Sequence, residues 1–167
     1  MTPEFSRLVR VDSIGPEGMV VELAATAEEC AAVAIRLGVP AVASLACRFR
    51  LEPAAGGRVA AHGRLTVKLT RECVVSLDPF ETSHAERFRL RFVPAGTESD
   101  DVDPESDDEI PYAEGAIDLG EAAVEQLALD LDPYPRSPGA ELPTADDAAP
   151  TGPFAALAAL RRMASKD

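Results

Sequence analysis

Between residues 43 and 93 the chain alternates apolar with charged or polar side chains at a period of two over three long stretches, and this leaves few folds open. Successive side chains of a strand point to opposite faces, so such a period marks strands with one buried and one wetted face. The three stretches are 43–51, 58–77 and 83–93, separated by turns through Pro53-Ala54-Ala55-Gly56-Gly57 and through Asp78-Pro79. Read as three antiparallel strands, they place Leu45, Cys47, Phe49 and Leu51, then Gly63, Leu65, Val67 and Leu69, then Phe88, Leu90 and Phe92 on a core face. The opposite face carries Arg48, Arg50, Arg64, Lys68, Arg87, Arg89 and Arg91, a stripe of seven cations that could hold a phosphate backbone or serve as a solvated surface.

Shorter elements surround this block. A strand is expected over 5–11, a turn through Gly15, Pro16 and Gly18, and a second strand over 19–23. Thr26 and Glu29 form the two ends of a capping box, so a helix is predicted over 27–37. Gly38 followed by Pro40 stops it. Asp118 can cap a second helix over 119–131, with Val124, Leu127, Ala128 and Leu131 as its apolar stripe. A third helix is expected over 153–167, starting at Pro153 and ending on cations. The fold class is therefore α+β: an antiparallel sheet of about five strands, able to curl toward a half-barrel, with two packed helices and a terminal helix.

Charge divides the chain. Residues 1–93 hold 12 Lys and Arg against 11 Asp and Glu, while 94–167 hold 4 against 18, so the net charge of -13 belongs to the second part. Bulk attraction to nucleic acid is excluded as a driving force, and any such contact must use a local patch. The run 94–109 has eight acids and no base, so 94–114 is expected as an extended acidic loop. One domain is expected over 1–135, a Pro-rich linker over 136–152 and the helix over 153–167. Neither a signal segment nor a spanning helix is evident, which points to a cytoplasmic protein with no membrane contact.

Catalytic chemistry is scarce. His62 and His84 are the only histidines, and neither lies in a metal-binding helical pair or near a nucleophile motif. The acidic run lacks the alternating ligands and central glycine of a calcium loop. Cys30, Cys47 and Cys73 are widely separated, so no disulfide framework, no metal and no cofactor is expected. No catalytic residues and no small-molecule substrate are assigned, and the protein is read as a non-enzyme.

Four segments in series resemble the YceD family, the bacterial and plastid proteins named for accumulation of 23S ribosomal RNA. They are Leu69-Thr70-Arg71-Glu72-Cys73-Val74-Val75-Ser76-Leu77-Asp78-Pro79-Phe80; Ile117-Asp118-Leu119-Gly120-Glu121 with Glu125-Gln126-Leu127-Ala128-Leu129; Asp132-Pro133-Tyr134-Pro135; and Pro153-Phe154-Ala155-Ala156-Leu157-Ala158-Ala159-Leu160. The resemblance implies a non-enzymatic factor in 23S rRNA processing or large-subunit biogenesis, its partner being precursor rRNA or a large-subunit ribosomal protein. Many members continue the position of Cys73 as CxxC and resemble zinc proteins. Here Ser76 stands three residues after Cys73 and no cysteine follows, so a four-thiolate site cannot form. Two modes of action are open: rRNA gripped by the seven cations, or an acidic adaptor or chaperone for a basic ribosomal partner. In the second mode the terminal helix would supply an anchor through Phe154, Leu157, Leu160, Arg161 and Arg162.

Overall fold

The long alternating stretches form the strands that their period predicts; the first and third run a few residues longer than expected, and the second, expected over 58–77, ends at Glu72 because residues 74–76 form a turn. In a computed structural model, which describes residues 3–99 and 107–141, β1 is Leu8–Arg10, β2 Met19–Ala24, α1 Ala27–Leu37, β3 Ala41–Pro53, β4 Val59–Glu72 and β5 Pro79–Pro94. The short strands β6, Asp108–Tyr112, and β7, Ala116–Asp118, then lead into α2, Leu119–Asp130. Backbone contacts group the chain into Met1–Ser137 and Pro138–Asp167. Everything below concerns the first unit.

Five strands form one sheet in the order β2-β3-β4-β5-β6, and β1 pairs with β7 in a separate two-stranded ribbon. The larger sheet does not close into a barrel. Its first three pairings are antiparallel, but β5 and β6 are parallel, with Leu90 opposite Asp108 and Phe92 opposite Ile110. The expected wholly antiparallel sheet is thus mixed. Residues 108–112 are strand, paired in parallel with β5, where an acidic loop was expected. The predicted helix over 153–167 lies outside the described residues.

Register confirms the two faces. Phe49 lies opposite Gly63, and Gly63 opposite Phe88, so one cross-strand row runs aromatic, glycine, aromatic. A Cβ at Gly63 would meet the Phe88 ring at 2.1 Å. The missing side chain lets that ring lie over β4 and meet Phe49 edge to face, with centroids 5.6 Å apart. Leu45, Phe49, Leu51, Leu65, Leu69, Leu90 and Phe92 are all buried and join Val33, Leu119, Val124 and Leu127 in one core. Both helices therefore cover the apolar face and leave the cationic face uncovered by them.

The start of the chain ties the two helices together. Thr26 and Glu29 form the predicted capping box, the N–H of Glu29 donating to Thr26 Oγ1 at 3.2 Å and the N–H of Thr26 to Glu29 Oε2 at 2.8 Å. Arg7 donates two hydrogen bonds to the same carboxylate, at 2.7 and 2.9 Å. Its own N–H donates at 2.8 Å to Asp118, the residue that caps α2. Gly120 admits this segment, because a Cβ there would stand 2.6 Å from the carbonyl oxygen of Phe5.

Hydrogen bonds from Arg7, then from Thr26, hold the Glu29 carboxyl down at about 2, below its usual 4.5. A carboxylate with a depressed folded value stabilises the fold above its unfolded pKa and loses that contribution as pH falls through the folded value. Glu29→Gln should therefore lower stability by about 1 kcal/mol at neutral pH, after allowing for solvent around a part-exposed pair. The gap between variant and parent should close between pH 4.5 and pH 2, as read by chemical denaturation.

Candidate nucleic-acid interface

Two cross-strand rows build the centre of the cationic face. Arg48, Arg64 and Arg87 are register partners across β3, β4 and β5, and Arg50, His62 and Arg89 form the next row. Neighbouring strands lie about 4.8 Å apart and residues i and i+2 of one strand about 6.7 Å apart, so six basic side chains share a narrow field. They line a shallow groove of about 500 Å³ whose floor includes Gly63 and Phe88. Lys68 lies one row beyond Thr66, opposite Ser44 and Ser83. Of the seven cations predicted on this face, six are exposed and Arg91 is half-buried.

Acids stand at the rim of the field rather than in its middle. Arg48 faces Glu22 of β2 at 3.5 Å, Arg50 faces Glu52 at 2.8 Å, Arg89 faces Asp107 at 3.2 Å and Arg91 faces Glu109 at 3.5 Å. These are surface pairs of small net worth, which a stronger anion can displace. Arg64, Arg87 and Lys68 have no carboxylate partner among the described residues. Like charges directly opposite one another destabilise a sheet, so a row of three arginines has an electrostatic cost that a bound anion would relieve. The sequence pattern located all seven cations but missed His62 as a member of the second row, and it missed Asp107 and Glu109 as rim acids. Both omissions need the register of β4 and the parallel strand β6 to be known.

Among the described residues of β3, β4 and β5 no aromatic side chain projects from this face, since Phe49, Phe88 and Phe92 all point to the core side. The groove can hold phosphates but offers bases nothing on which to stack. Phe154, Leu157, Leu160, Arg161 and Arg162, the predicted partner-binding set, lie outside the described residues.

At the end of the β4–β5 hairpin, Cys73 is buried and its thiol is approached by donors rather than by other thiols. The N–H of Ser137 gives the largest effect, followed by the N–H of Ser76, and together with the Ser137 hydroxyl they hold the thiol at about 6 instead of 9.0. The neighbourhood does not fit a zinc knuckle. Serines occupy it where further thiolates would be required, and no group of three metal-ligating side chains among the described residues includes Cys73.

The fold is thus an open, mixed α+β sheet with both helices on one face and a groove of arginines on the other. The chain belongs to the YceD family: the family model described as large ribosomal RNA subunit accumulation protein YceD matches residues 61–161. That span contains all but the first two residues of β4, with β5, β6, β7 and α2, and hence Arg64, Lys68, Arg87, Arg89 and Arg91 of the seven cations. Neither curated proteins nor solved structures provide a match. Among the described residues no helix is long and apolar enough to cross a membrane.

The Cys73 thiol, held low when folded, contributes stability fully above pH 9.0 and loses it as pH falls through about 6. Cys73→Ser should accordingly be closer to the parent in stability at pH 6 than at pH 9, in parallel denaturation curves. A gap of equal size at both pH values would contradict the role assigned to these donors.

Proposed function

We propose that this chain is a non-enzymatic factor in large-subunit ribosomal RNA accumulation that holds precursor rRNA by its phosphates on the cationic sheet face. The observation that carries this reading is the pair of rows Arg48-Arg64-Arg87 and Arg50-His62-Arg89, of which Arg64 and Arg87 have no acidic partner among the described residues. The family's description supplies the process, and the groove supplies a chemistry that suits it.

Contacts to phosphate position a nucleic acid without reading its bases, so binding should be tolerant of sequence and steeply dependent on salt. A chain with a net charge of -13 repels RNA at long range, which confines binding to this face and lets the rim acids Asp107 and Glu109 compete for Arg89 and Arg91. The Lys68 ammonium extends the track along β4.

Replacing Arg64 and Arg87 together by Ser removes two contacts from the middle of the groove. The slope of log affinity against log salt for precursor rRNA should become shallower by about 1.5, since each contact to single- or double-stranded nucleic acid accounts for roughly 0.7–0.9. Fluorescence anisotropy across a salt series reads this directly. An unchanged slope with retained binding would place the phosphate contact elsewhere, and failure of the parent chain to bind precursor rRNA would favour an acidic adaptor that binds a basic ribosomal protein.

A further inference from the structure

On the other side of the sheet, the only group of three metal-ligating side chains among the described residues draws together two elements far apart in sequence. His84 and Glu86 are two residues apart on β5, so both point to the face that the helices cover, opposite Val67 and Leu65 of β4. Asp130 is the last residue of α2. Its carboxylate meets His84 Nε2, and one ligand atom from each of the three residues lies within 4.8 Å of the others.

Two further observations point to a cation as the ligand of this group. Glu86 is half-buried and has no hydrogen-bond or ion-pair partner among the described residues, although it stands beside a second carboxylate. Asp130 sits at the C-terminal end of a helix with no basic residue in the last turn, where the backbone carbonyls already favour positive charge. Two carboxylates and one imidazole against exposed carbonyls make a locus that a divalent ion would balance. Arg71 and Arg136 border the adjoining cavity of about 230 Å³, but Arg71 is engaged by the carbonyl of Asp132. That cavity gives His84 and Asp130 an open side on which water or a small anion could complete the coordination.

We propose that His84, Glu86 and Asp130 form a binding site for a divalent transition-metal ion, of which zinc is the expected occupant. The imidazole selects against magnesium and calcium, and a nitrogen with two carboxylate oxygens suits zinc with one or two waters. Ligands on a zinc ion with bonds of about 2.1 Å stand about 3.4 Å apart, so side-chain rotation of about 1 Å brings the three together. The site ties the end of α2 to the middle of β5. The expectation of no metal rested on the spacing of the cysteines and of the two histidines along the chain, whereas this group joins His84 to Asp130 across the fold and contains no thiol.

The test is calorimetric titration of the full chain with zinc chloride, repeated with cobalt(II) as a spectroscopic substitute. One equivalent should bind, the cobalt form should show no thiolate charge-transfer band, and Glu86→Gln and Asp130→Asn should each weaken zinc by about a hundredfold. Asp130→Asn removes a charge that opposes the helix dipole, so that variant keeps its fold and stands as the decisive one. Cys73→Ser should bind zinc like the parent. The proposal is overturned if zinc does not bind, if folded Asp130→Asn binds it undiminished, or if binding disappears with Cys73 and cobalt shows a thiolate band.

Discussion

A slip of one residue in β3, β4 or β5 would turn Leu45, Phe49, Leu65, Leu90 and Phe92 to solvent and drive Arg48, Arg64 and Arg89 beneath the helices. Burying even one unpaired guanidinium costs several kcal/mol, so the register is held from both sides at once. The rest of the molecule follows from that pleat. Both helices must lie on the apolar face, which leaves the basic face uncovered by them, and the row Phe49-Gly63-Phe88 fixes β4 against its neighbours by shape. The arginines are thus part of what specifies the sheet as well as a surface that can bind.

The same constraint sets the electrostatics of the groove. Because neighbouring strands are antiparallel, residues in register stand side by side, and alternate basic positions on three strands become rows rather than scattered charges. The acids that meet these cations stand at the margins: Glu22 comes from β2, Glu52 from the end of β3, and Asp107 and Glu109 come with β6. Acids from β2, β3 and the segment at β6 therefore pair with the border arginines and leave Arg64 and Arg87 exposed between them. A field of this kind can exchange weak internal ion pairs for phosphates at little cost in stability.

Much of this was legible from residues alone, and the exceptions have physical causes. The capping box of Thr26 and Glu29, the cap at Asp118 and the two faces of β3 to β5 are local signals, written in residues one to four apart. Asp108–Tyr112 carries only Ile110 and Tyr112 as large apolar groups among acids and a proline, and its charge reads as loop. It becomes a strand because β5 offers it an edge and Arg91 faces Glu109, a tertiary effect that no local pattern contains. β7 is too short to leave a period, and β1 pairs with it rather than with the main sheet. The convergence of His84 and Glu86 with Asp130 depends on where α2 ends over β5, so half of that group was visible as an i, i+2 pair and the other half was not.

The central claim is that the uncovered sheet face is where precursor rRNA lies. Ultraviolet cross-linking of the full chain to precursor rRNA, followed by mass spectrometry of the nucleotide-bearing peptides, reads the location without altering any residue. Cross-links should fall in peptides from β3, β4 and β5 that contain Arg48, His62, Arg64 or Arg87. Cross-links confined to residues 138–167, or a complex that forms with ribosomal protein and carries no RNA cross-link, would contradict the account.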